Sequence, residues 1–449
     1  MIVRFMIVLA VAVPVTAKAA TGRQDPMVNG TSHPMTLEAC IETGLQNNYS
    51  VRIMRNLEQQ AENNATRGNA GQLPTVGLSA SYGGSYYQNN YLYPDGERST
   101  ASSLNNNIQA GVDVSWTLFD GFGIQANYEK LKELSIQGEL DMRLTLEDFV
   151  ASVASEYYYL IRQQIRLDNL RQSVSLSRER LRIVQESYQI GASSGLDYQQ
   201  AQVDYNADTS DYLSQVELVK KSVINLNKLM ALEEVERKTV PADTSIVLNC
   251  DLDKAQLWQN TLKNNTSLLQ TISDQTISQL DYKRVKSRNY PYLRLNAGYG
   301  YRNYWYGNST YDRNNQFGPT LGASMGIALY DAGNRRREQA NARLSIENSR
   351  LRLDQMENAL QADLASLWMA YQNNLQLWEI EKSNLNVARS NFEIAMERYR
   401  LRELSGIELR EAQLSLLQSE ERLSTVEYNI KLCEISLLLL SGDILTCEL

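Results

Sequence analysis

Two stretches of this chain repeat each other marker by marker, so whatever the first half folds into has to be built a second time. Asn47-Asn48 returns as Asn264-Asn265, Pro74 as Pro291 and Tyr82-Gly83 as Tyr299-Gly300, each displaced by 291 − 74 = 217 positions. Further along, Leu118-Phe119-Asp120 returns as Leu329-Tyr330-Asp331, Tyr188 as Tyr399, Ser194-Gly195 as Ser405-Gly406 and Ala201-Gln202 as Ala412-Gln413, displaced by 399 − 188 = 211. The second copy has lost 217 − 211 = 6 residues between Pro291 and Tyr330. A deletion is tolerated best in an exposed loop, so both copies are expected to carry a solvent loop there.

Each copy reads as a helix, two strands around that loop, a very long helix, a tight turn and a returning helix. The first repeat is placed at 36–240, with strands at 76–87 and 107–118 and a helical hairpin at 122–232. A linker at 241–251 leads to the second repeat at 252–441, with strands at 292–302 and 320–330, a hairpin at 334–440 and a tail at 442–449. Past the N-terminal region the prolines are Pro74, Pro94, Pro241, Pro291 and Pro319, which leaves 95–240 and 320–449 free of this helix breaker.

Those two tracts carry a seven-residue period. Val153, Leu160, Leu167, Val174, Leu181 and Tyr188 follow one another in sevens, as do Leu364, Tyr371, Trp378, Leu385, Phe392 and Tyr399. The return helices continue through Tyr205, Tyr212, Val219 and Leu226, and through Leu416, Leu423, Ile430 and Leu437. A seam this narrow means helix against helix, as in coiled coils, rather than burial in a broad core.

The strands alternate with period two. Val76, Leu78, Ala80, Tyr82 and Tyr86 form one uncharged face, and Ile108, Ala110, Val112, Val114, Trp116 and Leu118 form another. The second copy offers Leu293, Leu295, Ala297, Tyr299 and Tyr301, then Leu321, Ala323, Met325, Ile327 and Leu329. A soluble sheet packed on helices would look similar. Tyrosine crowding toward the loop ends, at Tyr86, Tyr87, Tyr91, Tyr93, Tyr299, Tyr301, Tyr304 and Tyr306 with Trp305, instead suggests an aromatic girdle at a membrane boundary. Four strands have two open edges and too little girth to close alone, and hydrocarbon forbids unpaired backbone. Three copies would supply a shared barrel of about twelve strands, its polar face on water.

Export is indicated independently. Arg4, the apolar run 5–15 and Ala17-Lys18-Ala19 read as a signal peptide at 1–19, followed by a polar tail at 20–35. Its removal would take the formal net charge from −8 to −8 − 2 = −10. An acidic chain does not suit a nucleic-acid partner. Cys40, Cys250, Cys433 and Cys447 have no metal-site spacing, although the nearness of Cys433 and Cys447 leaves a bridge open in an exported chain. His33 is the sole histidine, so neither imidazole catalysis nor a histidine metal site is expected, and no cofactor.

The segment 188–197, Tyr-Gln-Ile-Gly-Ala-Ser-Ser-Gly-Leu-Asp, running on to Gln200-Ala201-Gln202, resembles the hairpin-tip signature of the TolC family of outer-membrane efflux proteins. Its second copy is 399–408, Tyr-Arg-Leu-Arg-Glu-Leu-Ser-Gly-Ile-Glu, running on to Glu411-Ala412-Gln413. The entry motif Leu37-Glu38-Ala39 and the strand-to-helix motifs Leu118-Phe119-Asp120-Gly121 and Leu329-Tyr330-Asp331-Ala332-Gly333 extend the resemblance over nearly all of the mature chain.

The resemblance implies a mainly α chain with a transmembrane β part: a trimeric channel-tunnel in the outer membrane, with four strands per protomer and a coiled-coil helical barrel in the periplasm. It implies a passive exit duct of tripartite efflux or type I secretion, working with a periplasmic adaptor (membrane fusion) protein and an inner-membrane RND or ABC-type pump. By the same resemblance Ser193, Ser194, Gly195, Leu196, Ser405, Gly406 and Ile407 would face the adaptor. Glu408 and Glu411, with Asp197, would line the closed aperture, and Tyr188 and Tyr399 would latch neighbouring hairpins.

Glu408 and Glu411 share one helix face, so three copies would ring an axis with about six carboxylates and favour cations. The plainer reading makes them helix N-terminal charges favoured by the dipole. Two positions depart from the family pattern: Arg402 stands where the first copy has the turn glycine Gly191, and Leu404 stands where some relatives place a latch arginine. The expected cleavage site is followed directly by Ala20 and not by the cysteine that some relatives use as a lipid anchor, so lipidation is not expected. A structural coiled-coil trimer of the adhesin kind, conducting nothing, is the competing class, but its strands would form one terminal block rather than two symmetric insertions.

Overall fold

The computed structural model describes residues 34–249, 252–307 and 312–446. The expected signal peptide, His33, Cys250 and Cys447 lie outside the described residues.

Strand β1 (Pro34–Met35) leads into helices α1 (Leu37–Asn47) and α2 (Tyr49–Asn64), strands β2 (Thr75–Leu92) and β3 (Arg98–Phe119), and helices α3 (Gly123–Gln189) and α4 (Gly195–Leu229). After β4 (Val240–Pro241) the same order returns as α5 (Lys254–Asn264), α6 (Thr266–Ser287), β5 (Tyr292–Trp305), β6 (Arg313–Gly326), α7 (Asn334–Arg400) and α8 (Gly406–Ser441). Helices α3 and α7 are each 67 residues, about 100 Å of unbroken helix.

Local chemistry marks the equivalent joints. Each long helix starts from two successive left-handed residues, Gly121 and Phe122 before α3, Ala332 and Gly333 before α7. Asp120 and Asp331 then accept the first free helix N–H groups, from Ile124 at 3.0 Å and Arg335 at 2.9 Å. Among the described residues no helix is long and apolar enough to cross a membrane.

The sheet is antiparallel throughout, in the order β2-β3-β5-β6, which leaves β2 and β6 as edges within one chain. Its strands reach further toward the loops than the alternation at 76–87 and 107–118 indicates. Asn, Ser and Thr positions keep pairing as far as Leu92 with Arg98, since backbone pairing does not need an apolar partner. In the second copy the strand expected at 320–330 runs instead from Arg313 to Gly326. Gly326 pairs with Tyr292, the first residue of β5 after Pro291, so Ile327 and Leu329 have no partner strand among the described residues.

Register separates the two faces cleanly. Val76, Leu78, Tyr82, Tyr86, Val112, Trp116, Leu295, Tyr299, Phe317, Leu321 and Met325 share one face and are exposed. Tyr87, Tyr91 and Tyr304 fall on the opposite, polar face, so only part of the tyrosine crowding belongs to the apolar girdle.

Below the sheet α3 packs on α4 and α8, and α8 on α7, which gives the lateral order α4-α3-α8-α7. The core lies where α1, α2 and the end of α4 meet α3, around Cys40, Val51, Val153, Tyr157, Leu160 and Met230. A second cluster joins Leu364 and Tyr371 of α7 to Ile430 and Leu437 of α8, two positions from each sevenfold series.

Candidate functional site

Both hairpins turn at the end far from the sheet, and each return helix starts with the same cap. Ser194 accepts from the Asp197 N–H at 3.1 Å while the Asp197 carboxylate accepts from the Ser194 N–H at 3.2 Å. Ser405 and Glu408 do the same at 3.3 and 3.0 Å. The Ser194 hydroxyl and N–H hold Asp197 below the ordinary carboxyl range, and the Ser405 N–H and hydroxyl do the same for Glu408. Within one chain Asp197 and Glu408 are therefore capping residues, and Glu411 is exposed one turn on.

The two turns differ at one backbone position. Gly191 takes φ +75°, and its counterpart Arg402 takes φ +63°, a region that costs a side chain energy. Leu404 packs with Tyr399, Phe392 and Met396 around Ala395, Leu409 and Ala412, which fills the second tip with hydrocarbon.

The two expected latch tyrosines behave differently. Tyr188 stacks on Tyr198 of its own hairpin, with ring centroids 5.6 Å apart and planes 4° from parallel. Tyr399 lines a cleft of about 320 Å³ between the two tips, together with Ser193, Asp197, Ser405, Gly406 and Ile407. Burial raises its hydroxyl pKa, and the nearby Arg180 charge opposes that rise.

Arg410, Asp208 and Arg180, which the sequence reading passed over, hold the hairpins to each other beside this cleft. Arg410 of α8 donates to both oxygens of Asp208 on α4, at 2.8 and 2.7 Å. Asp208 also accepts from Ser173 and Ser177 of α3. Burial works against its ionisation, but the Arg410 and Ser177 hydrogen bonds outweigh that and hold the carboxyl below its usual value. Arg180 of α3 pairs with Asp204 of α4 and reaches across to the Gly406 carbonyl at 3.3 Å. Gln413 of α8 adds a bond to the Ser173 hydroxyl at 2.8 Å.

The faces turned away from these contacts are apolar. Ile190, Leu196, Leu401 and Ile407 stand out at the two turns, each more than two-thirds exposed. Along α7 and onto its C-cap, Ile380, Val387, Ile394 and Leu401 recur in sevens and are also exposed, a seam that neither α8 nor α6 covers. The signal for Ile190 and Leu401 was their equivalence across the repeat. The seam is shifted from the one that α8 covers.

Comparison with known proteins agrees with this architecture. The family model described as outer membrane efflux protein matches residues 40–232 and 257–443. The outer membrane protein TolC of Vibrio cholerae is 20% identical over 232 residues, 51% of this chain and 52% of that protein. The chain thus spans about half the length of the curated relative it matches. The Campylobacter jejuni CmeC outer membrane channel superposes with a TM-score of 0.76 at 16% identity, over 91% of this chain and 85% of that one. The outer membrane protein VceC from Vibrio cholerae superposes with a TM-score of 0.74 at 14% identity, over 90% and 96%.

Proposed function

Because this chain belongs to the outer membrane efflux protein family, we propose that three copies of it form a passive exit duct carrying solutes from the periplasm to the exterior. The protein resides in the outer membrane with its helical part in the periplasm. The carrying observation is the open sheet: one face is apolar and exposed, and β2 and β6 are left as edges. In hydrocarbon those edges have to pair, and pairing β6 of one copy with β2 of the next gives about twelve strands from three copies.

The helices support the same arrangement. In the order α4-α3-α8-α7 the exposed seam Ile380-Val387-Ile394-Leu401 lies on the outermost helix, where a neighbour's α4 would cover it. A tandem duplication accounts for the repeated element order, so that three chains approximate six similar hairpins around the axis.

At the periplasmic end, Glu408, Glu411 and Asp197 would surround the closed aperture. The Arg410–Asp208 and Arg180–Asp204 pairs would serve as the latch in place of the arginine replaced by Leu404, with Tyr399 between them and Tyr188 confined to its own hairpin. The exposed tip residues Ser193, Ser194, Gly195, Leu196, Ser405, Gly406 and Ile407 suit docking of a periplasmic adaptor, which would couple the duct to an inner-membrane pump of the RND or ABC type. The energy comes from that pump, and the duct itself catalyses nothing. Reconstitution into planar bilayers tests the reading: discrete channel steps support it, and a protein that never conducts refutes it.

A further inference from the structure

The polar face of the sheet carries three charged residues among the described strands: Arg294, Arg302 and Asp113. Arg302 shares a row with Ser81, Gln109 and Gln316, all on that face. One step further along the same face the row is Ser79, Gly111, Gly300 and Gly318, which is nearly bare of side chains. A Cβ on Gly111 would come within 3.0 Å of the Gly300 Cα, so the strands meet there backbone to backbone. A niche of about 410 Å³ opens over this bare row, bounded by Arg302, Gln109 and Gln316 on one side and by Asp113, Ser79 and Thr320 on the other.

The two charges at its ends are not equally engaged. Asp113 accepts from the Ser79 hydroxyl at 2.9 Å and leans over Gly298, where a Cβ would lie 2.9 Å from its Oδ1. Arg294, further toward the helices, has its guanidinium 5.0 Å from the centre of the Tyr292 ring. Arg302 is exposed, and no carboxylate among the described residues pairs with it. The amides of Gln109 and Gln316 beside it add neutral donors, a combination that suits a carboxylate or another oxyanion.

We propose that Arg302, with Gln109 and Gln316, makes the barrel stretch of the duct select for anionic solutes, the niche seating a carboxylate-bearing group on its way out. This rests on the three-copy duct, in which Arg302 becomes a ring of positive charge inside a water-filled wall. It also sets the two ends of the duct in opposition, acidic at the tips and basic in the barrel. When the tips are closed the carboxylates govern which ions pass, and when they open the barrel does.

The test uses full-length protein in planar bilayers with the tip latch broken by Arg410→Gln, so that the aperture no longer limits current. Under a KCl gradient, Arg302→Gln is expected to raise the potassium-to-chloride permeability ratio by about twofold or more, while Arg302→Lys retains the parent ratio. Citrate is expected to block current in the parent, and Arg302→Gln to weaken that block by about tenfold. Channels showing the raised conductance of Arg410→Gln whose selectivity and citrate block ignore Arg302→Gln would overturn this inference and leave the duct standing. Absence of channels in every variant would overturn the duct and this inference together.

Discussion

Arg410 grips both oxygens of Asp208 across the two hairpins of one chain, and Asp208 is 2% exposed. A buried carboxylate held by one guanidinium and two serine hydroxyls makes a joint that is costly to break on one side only. The joint lies beside the cleft between the tips, so its loss should let the second hairpin swing relative to the first.

Arg410→Gln leaves the Asp208 charge buried without its cation, at a cost of about 3 kcal/mol per chain in local tip stability. Single-channel conductance is expected to rise several-fold, and Asp208→Asn to give the same direction with a smaller destabilisation. Conductance equal to the parent in both would remove the latch.

Glu408→Ala with Glu411→Ala takes the carboxylates from the proposed aperture. Conductance should rise and cation preference fall in planar bilayers. Because Glu408 also caps α8, the double variant loosens the first turn of that helix, which amide hydrogen exchange at 405–412 would report. Unchanged conductance and ion preference would reduce Glu408 to a cap.

The left-handed Arg402 predicts a stabilising substitution. Arg402→Gly removes the Cβ strain at φ +63° and restores the residue type found at Gly191. A gain of about 0.5–1 kcal/mol in tip stability is expected, read by urea unfolding or proteolysis of the second tip. A loss would mean that the Arg402 side chain makes a contact outweighing its backbone cost.

The tip carboxylates set the acid response. Asp197, Asp208 and Glu408 all have lowered folded values, so their contribution is complete above the ordinary carboxyl range of about 4 and disappears only as pH falls through the lower folded values. Conductance should stay level between about pH 7 and 5 and rise only in stronger acid. A transition near pH 6 would point to other groups, such as aperture carboxylates raised by crowding in the trimer.

Much of this was legible because it lay in periodic apolar residues. Leu364 and Tyr371 fall in the sevenfold series and do pack against α8, and the strand alternation separates an apolar from a polar face. The latch was hidden by its chemistry. On α4 the deeply buried sevenfold positions are Ala201, Asp208, Gln215 and Ser222, a mostly polar seam that a search for hydrophobic residues passes over. Arg410 and Asp208 lie 410 − 208 = 202 positions apart, so only the packing of α8 against α3 brings them together. Strand ends were missed for a related reason, since Ser99 to Asn106 pair through their backbones without an apolar pattern to mark them.

Association of copies is the step on which the duct depends, and the α7 seam tests it without touching the barrel. Val387 and Ile394 are exposed in one chain, so its fold does not need them covered. Val387→Asp with Ile394→Asp should therefore leave helix content unchanged while removing about 1.5–3 kcal/mol per residue at each contact between copies. Native mass spectrometry of the detergent-solubilised protein measures the claim directly. The parent is expected at three times the mass of one mature chain, with the doubly substituted protein shifted toward single chains. A parent that remains a single chain at every concentration and never enters lipid would contradict the account.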